Sequence, residues 1–316
     1  YMVSFQGAYH GSTYGSMTLS AISLNMRRKM GPLVPGVYHI PYPDAYHAGV
    51  DHLSEEEQAA YFMRPLIEAT EPYLPADEIA CVIMEPIAGD LGIIAPPKAY
   101  VEQLHAFCKE HGILFAVDEV NQGMGRTGKW WSIEHFGIEP DLMSVGKSIA
   151  SGMPLSAIIG KAEIMDALDF PAHLFTTSGN PVCCAASLAT IGVIEDEGLI
   201  ERSRELGAYA EKRFNEMAEK YDIVGCVHGK GLNLGIDIVE PGTRTKCPKD
   251  ALKIVYRAYD EGVVMITIAG SILRFQPPLV ITREQLDFAL DVLDRVIGEV
   301  ARGEVADDIV PEGKGW

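Results

Sequence analysis

Residues 112–120 read Gly-Ile-Leu-Phe-Ala-Val-Asp-Glu-Val. The apolar run Ile113–Val117 is short and bounded, as expected for a strand that is buried on both faces. Before it, Lys98–His111 has the periodicity of an amphipathic helix, with Pro97 at its start and Gly112 directly after its end. A helix that leads into a buried strand is typical of α/β domains. The stretch therefore predicts an α/β fold.

Segments of the same two kinds continue the pattern along the chain. Further strand-like runs are Ile79–Met84, Leu142–Val145, Ala157–Ile159, Leu232–Val239, Val263–Thr267 and Leu273–Phe275. Further helical patterns are Pro181–Glu197, Leu199–Tyr221, Asp250–Glu261 and Arg283–Ala301. We predict a mostly parallel sheet in a large domain over residues 1–195, followed by a smaller α+β domain over residues 196–316.

Composition excludes several classes of partner. A net charge of −18 disfavours binding to nucleic acid and to anionic membranes. No apolar run is long enough to span a bilayer. The six cysteines lack zinc-ligand spacing, so we expect reduced thiols, a cytoplasmic location and no metal. The chain begins at Tyr1 without a signal peptide or an initiator Met, and we expect further residues upstream.

Polar side chains follow several of the apolar runs. Glu85, Asp118, Lys147 and Thr176 are each expected just after a strand. In open α/β sheets, ligands bind at the carboxyl ends of the strands, so these residues predict a site. A lysine beside Gly146 can face a pocket and become nucleophilic. The spacing alone leaves a solvated lysine as the commoner alternative.

Six segments, in the same order, resemble motifs of the class III aminotransferase family. They are Phe5–Gly11, Glu85–Asp90, Asp118–Gly128, Asp141–Ala157 (which contains Lys147), Thr176–Pro181 and Arg274–Leu279. The resemblance implies a fold type I transferase with pyridoxal 5′-phosphate as its cofactor. It also implies a homodimer, or a dimer of dimers, with shared active sites and a small amino acid as substrate.

The resemblance also assigns roles to residues of the first domain. Lys147 is expected to hold the cofactor as a Schiff base and to move the Cα proton of the substrate. Asp118 is expected to pair with the pyridine nitrogen, whereas the plainer alternative is a helix N-cap. Val120 and Tyr9 are expected to pack on the two faces of the ring, and ordinary core packing is the alternative for both.

Four further residues receive expected roles in the same way. Thr176 is expected to bind the cofactor phosphate across a dimer interface. Arg274 is expected to bind a substrate carboxylate, unless it is a surface arginine. Glu85 and His10 are expected near the cofactor, and a structural histidine is the alternative for His10.

Two features depart from the family pattern. Asn121 stands where the family usually has a longer Gln that touches the phenolic oxygen of the cofactor, and its neighbour Gln122 is a possible substitute. The family's phosphate-binding loop normally precedes the aromatic-His-Gly element, which lies here at Tyr9–Gly11. Its residues are therefore expected upstream of this sequence.

The reaction is suggested by longer matches to the isoleucine 2-epimerase subgroup. These are Tyr9–Met17, Leu19–Arg28, His39–Pro41, Pro171–Thr177, Gly229–Leu232, Leu273–Thr282 and Gly313–Trp316. They imply inversion at Cα of an apolar, branched amino acid.

Inversion needs an acid or base besides Lys147, and Asp90 is our candidate. The alternative is that Asp90 only forms an ion pair with Arg274. A transaminase that passes the amino group of an α- or ω-amino acid to 2-oxoglutarate is the second interpretation. A non-catalytic relative is the third.

Overall fold

The computed structural model describes residues 1–311, and the predicted match at Gly313–Trp316 lies outside that range. Contacts divide the chain into two compact units. Unit 1 contains residues 1–89, 95–124 and 129–198; unit 2 contains residues 90–94, 125–128 and the chain from Leu199 onward. The sequence did not reveal that residues 90–94 and 125–128 belong to unit 2, because neither segment is long enough to show a pattern of its own.

Unit 1 is built around a six-stranded sheet with the order β2-β1-β3-β4-β5-β6. All neighbouring strands run parallel except β5 and β6. The strands are β1 (Met2–Phe5), β2 (Val37–Ile40), β3 (Cys81–Met84), β4 (Leu114–Asp118), β5 (Leu142–Val145) and β6 (Ala157–Gly160). The helices are α1 (Tyr14–Leu19), α2 (Leu24–Arg27), α3 (Glu55–Thr70), α4 (Lys98–His111), α5 (Ala162–Met165) and α6 (Pro181–Asp196). The predicted α/β fold with a mostly parallel sheet is confirmed.

Helix α4 shows why the sequence folds in this way. Its buried residues, Tyr100, Val101, Leu104 and Cys108, form one apolar stripe along the helix. The helix ends at Gly112, which adopts the left-handed conformation and bonds the last turn through its backbone N–H. The chain then enters β4 directly.

Unit 2 contains an antiparallel sheet of four strands with the order β7-β8-β10-β9 within the described range. The strands are β7 (Val224–Gly229), β8 (Leu234–Ile238), β9 (Ile266–Ile268) and β10 (Ile272–Phe275). The helices are α7 (Leu199–Lys220), α8 (Pro248–Asp260) and α9 (Arg283–Ala301). Buried side chains of the helices and strands form one apolar core. The predicted smaller α+β region is thus present, although β9 begins three residues later than expected.

Among residues 1–311, no helix is both long and apolar enough to cross a bilayer. The six cysteines are unpaired, and three of them are buried. No group of three or more possible metal ligands occurs within the same range.

Candidate active site

The predicted lysine lies just beyond a strand of unit 1. Strand β5 ends at Val145, and Lys147 begins a short 3₁₀ turn with a positive φ of 44°. This backbone conformation is unfavourable for a residue with a side chain and is often found at functional sites. Lys147 is exposed, so the described residues of one chain do not supply the desolvation that a nucleophilic lysine was expected to have.

Asp118 is the last residue of β4, next to β5 in the sheet. One carboxylate oxygen accepts a hydrogen bond from the Val120 backbone N–H at 3.0 Å, and the other contacts His10 Nδ1 at 2.8 Å. No helix begins directly after Asp118, because residue 119 is irregular and residues 120–127 form turns. The helix N-cap alternative is therefore wrong.

The contacts of Asp118 keep its side chain charged. Burial acts to raise its pKa, but the hydrogen bond and charge of His10 and the Val120 N–H outweigh it, and the pKa lies below its usual value. Both side chains are nearly inaccessible, at 2% for His10 and 9% for Asp118. The result is a buried ionised carboxylate at the end of a strand.

His10 supports this carboxylate and retains one unused polar atom. Its backbone N–H donates to Ser20 Oγ at 2.8 Å, which fixes the residue in the turn that follows β1. Its Nε2 is buried without a hydrogen-bond partner among the described residues. Buried polar atoms are rarely left unsatisfied, so this nitrogen indicates a place where a further polar group fits.

Glu85 follows β3 and connects two loops at the same sheet edge. Its carboxylate accepts hydrogen bonds from the backbone N–H groups of Tyr9, at 2.9 Å, and Gly89, at 2.6 Å. Burial raises the pKa of Glu85 to about 7, despite the opposing effects of His10 and the two N–H donors. Glu85 therefore orients the loop that carries Tyr9 through its backbone contacts.

The residues after Asp118 pack closely against this arrangement. A Cβ atom at Gly146 would come within 3.3 Å of Val120 Cγ1, so Val120 lies against the strand end that carries Lys147. A Cβ atom at Gly89 would come within 2.6 Å of the Asn121 amide nitrogen. The amide of Gln122 donates to Ile87 O at 2.5 Å, while its buried oxygen has no partner in the described range.

Thr176 does not follow a strand, so this part of the sequence prediction is wrong. Residues 171–179 are turns or irregular chain, and every residue from 165 to 182 is exposed. The apolar residues before it include Phe170, which is 90% exposed. These residues do not pack into the core of unit 1, so the apolar run did not form a strand.

Arg274 and Asp90 both belong to unit 2. Arg274 lies on β10, and its Nη1 contacts Asp90 Oδ1 at 3.1 Å, while its Nε donates to Gln276 Oε1. The two side chains are partly accessible, at 20% and 33%. Arg274 is thus held in an ion pair. The contact is compatible both with a catalytic Asp90 and with the alternative that Asp90 only forms this ion pair.

Sequence reasoning missed two other polar groups of unit 2. The guanidinium of Arg126 donates to the carbonyl oxygens of Leu232 and Pro277. Burial and the charge of Arg274 lower the pKa of Arg126 to about 10. His228 forms an ion pair with the buried Asp237. The signal that could have revealed this ion pair was Asp237, an acid within the apolar strand Leu234–Ile238.

The residues of unit 1 fit pyridoxal 5′-phosphate. The ionised Asp118, held by His10 Nδ1, is a buried acceptor of the kind that a protonated ring nitrogen requires, and the unpartnered Nε2 of His10 indicates that a further polar group fits nearby. Lys147 provides an accessible amine two residues beyond the end of the neighbouring strand. Bound there, the cofactor would supply an electron sink for the substrate's Cα.

Known proteins with similar sequences agree with this chemistry. Isoleucine 2-epimerase from Lentilactobacillus buchneri is 59% identical over 96% of this chain and 68% of its own length. Leucine/methionine racemase from Thermococcus litoralis is 42% identical over the whole chain and 71% of its own length. A 4-aminobutyrate aminotransferase from Mycobacterium leprae is 36% identical over 94% of this chain and 67% of its own length.

Solved structures show the same fold. An amine transaminase from an uncultivated Pseudomonas species, in its pyridoxal-phosphate-bound form, matches 95% of this chain and 69% of its own with a TM-score of 0.88 and 30% identity. The family model described as "Aminotransferase class-III" matches residues 1–297. The chain belongs to the class III aminotransferase family of enzymes.

Proposed function

We propose that this protein is a pyridoxal-phosphate-dependent amino-acid 2-epimerase, or racemase, that acts on apolar, branched-chain amino acids. The 59% identity to an isoleucine 2-epimerase over 96% of the chain carries the proposal. The second racemase relative, whose name specifies leucine and methionine, supports the same class of substrate.

Residues of unit 1 would hold the cofactor and move the first proton. Lys147 would carry it covalently, and its released amine would remove the Cα proton of the substrate. Asp118 would bind the protonated ring nitrogen, because His10 and the Val120 N–H keep its carboxylate ionised. Val120 and Tyr9 would contact the ring faces, and Asn121 would lie near its phenolic oxygen.

A second copy of the chain would complete the site. Thr176 would bind the phosphate of the cofactor held by the partner subunit in a homodimer or a dimer of dimers. The exposed apolar side chains around it support an interface, since Phe170 is 90% and Leu188 is 72% exposed. We also propose a cytoplasmic location, which the six unpaired cysteines support.

Unit 2 would provide the substrate contacts. The planar fork of Arg274 suits a carboxylate, and Asp90 occupies that fork in this structure. A substrate carboxylate would displace Asp90, which could then act as the second acid or base at Cα. If Asp90→Asn leaves inversion intact while Lys147→Ala abolishes it, Asp90 serves only as the ion-pair partner of Arg274.

A transaminase is the second candidate function. The 36% identity to a 4-aminobutyrate aminotransferase favours it, and Lys147, Asp118 and Arg274 would serve such a reaction equally well. Transamination needs only one proton-transfer group at Cα, so it does not require a catalytic Asp90.

The test is an incubation of the pyridoxal-phosphate-loaded protein with L-isoleucine, without any keto acid, followed by chiral chromatography. We expect D-allo-isoleucine to accumulate, and the Lys147→Ala variant is the negative control. If no inversion occurs and glutamate forms once 2-oxoglutarate is added, the protein is a transaminase.

A further inference from the structure

One row of side chains crosses the sheet of unit 2 and ends at Arg274. His228 on β7 pairs with Gly235 on β8, and Gly235 pairs with Arg274 on β10. Directly opposed residues of antiparallel strands project from the same face of a sheet. His228 and Arg274 therefore lie on one face, separated by a residue that has no side chain.

The segment Asp90–Ile94 lies over the gap at Gly235. A Cβ atom on Gly235 would come within 2.3 Å of Gly92 O and within 2.7 Å of His228 Cε1. A Cβ atom on Gly92 would likewise meet Ile272 at 2.5 Å. The backbone of the segment therefore contacts the sheet directly, and only glycine at position 235 permits that approach.

The backbone of this segment is strained. Gly92 has a φ of 140°, and Ile93 has a φ of 65°. A positive φ is a genuine outlier for a β-branched residue and persists only where surrounding contacts enforce it. The segment therefore needs an external contact to keep its conformation.

His228 supplies such a contact. Its Nδ1 lies 3.3 Å from Ile93 O, and its Nε2 lies 2.6 Å from Asp237 Oδ2. The carbonyl oxygen of Ile93 can only accept a hydrogen bond, so Nδ1 donates to it, while Nε2 contacts the carboxyl group of Asp237. The Asp237 side chain is only 1% exposed, so water does not compete with the contact that it makes to the ring.

Asp90 begins the segment that His228 holds. Its carboxylate contacts Arg274 at 3.1 Å, at the other end of the same row. We propose that His228, oriented by Asp237, is a positioning residue that fixes the Asp90–Ile94 segment and so sets the placement of Asp90 at Arg274. In this role it governs how Arg274 exchanges Asp90 for a substrate carboxylate, a consequence that rests on the proposed function of Arg274.

Two substitutions separate this role from plain structural support. The amide of His228→Gln can still donate to Asp237, but it loses the contact with Ile93 O. Asp237→Asn removes the buried charge, while its amide can donate to His228 Nε2 and leave Nδ1–H for Ile93 O. The first variant breaks the contact with the segment, and the second retains it.

The experiment measures amide hydrogen exchange of residues 90–94 in the holoenzymes. We expect exchange to rise about tenfold in His228→Gln and to stay within about twofold of wild type in Asp237→Asn. In whichever reaction the wild type performs, we expect kcat to fall about tenfold in His228→Gln, with KM within about threefold. Asp237→Asn should keep both values near those of wild type.

Unchanged exchange at residues 90–94 in His228→Gln would overturn the inference, and so would raised exchange with unchanged kcat and KM. Equal effects of the two variants would also overturn it, because a merely structural ion pair would be lost in both. If the wild type fails to invert amino acids, the proposed function fails, but the exchange measurement still decides the role of His228.

Discussion

A histidine contacts a buried aspartate in each unit, at His10–Asp118 and at His228–Asp237, and the two pairs differ in which member faces the functional contact. In unit 1, His10 stabilises Asp118, and the acid is the group at the end of the strand. In unit 2, Asp237 is buried within β8 and orients His228, which reaches the backbone of a neighbouring segment. The same kind of pair therefore keeps a carboxylate charged in unit 1 and holds a backbone conformation in unit 2.

This difference predicts that the more harmful substitution falls on a different member of each pair. In the first pair, loss of the acid should be more harmful than loss of the histidine. In the second pair, loss of the histidine should be more harmful than loss of the acid.

Asp118→Asn should reduce kcat/KM by about 100- to 1,000-fold, because a neutral amide cannot balance the charge of a protonated ring nitrogen. Asp237→Asn makes the same chemical change in the other pair and is the matched control. Steady-state kinetics of the two holoenzymes would check this. Equal losses in both variants would contradict the distinction between the pairs.

Glu85 is buried and bonded to two backbone N–H groups, and its pKa is shifted in the opposite direction from that of Asp118. Its pKa of about 7 in the folded protein exceeds the ordinary value of 4.5, so its contribution to stability is present at low pH and lost as pH rises through about 7. In the wild type, this group should lower the free energy of unfolding by roughly 2–3 kcal/mol between pH 4.5 and 7.5. In Glu85→Gln, that part of the pH dependence should be absent.

Chemical denaturation at several pH values would measure this slope. The slope of Glu119→Gln should be measured beside it, because burial raises the pKa of Glu119 to about 7 as well. Parallel curves for wild type and Glu85→Gln would show that Glu85 is not the group responsible.

His10→Leu should reduce kcat about tenfold and move the acidic limb of the pH–rate profile to higher pH. The reason is that His10 lowers the pKa of Asp118 against the effect of burial, so without His10 the carboxylate takes up a proton at higher pH. His10→Asn, whose amide can replace Nδ1–H as the donor, should keep the limb near its original position. An unshifted limb in His10→Leu would contradict this role.

The sequence predicted elements best where the ends of a helix or strand carry their own signals. The bounds of α4, α9 and β5 agree with prediction to the residue. Helix α9 begins with a capping box at Thr282, and α4 ends at Gly112. Helix α3 was missed, although Ser54 and Glu57 form the same kind of box, because Pro65 interrupts its pattern.

The sequence predicted an element wrongly where its position depends on contacts that are remote in sequence or on the end of a preceding helix. Strand β9 starts at Ile266 and not at Val263, because the N–H of Val263 still bonds to Ala258 O at the end of α8. Thr176 was expected after a strand, but the apolar residues before it are exposed. An apolar run in the sequence therefore did not guarantee that these residues are buried.

The site could be predicted only in part, for a similar reason. Asp118, Glu85 and Lys147 follow strands that the apolar runs reveal, and parallel strands bring such ends to one edge. The link between His228 and Arg274 depends on the register of three strands, which pairs residues 228, 235 and 274. No local pattern specifies that register.

The close approach at Gly235 has a consequence for protein engineering. Since any side chain there would collide with the carbonyl oxygen of Gly92, libraries that vary this position would mostly sample displaced segments and not altered substrate preference. Position 90 offers more freedom, since its side chain is partly accessible. Because Asp90 is also the proposed second acid or base, changes at position 90 would alter the reaction together with the substrate preference, whereas the glycine at 235 should be left invariant in any library.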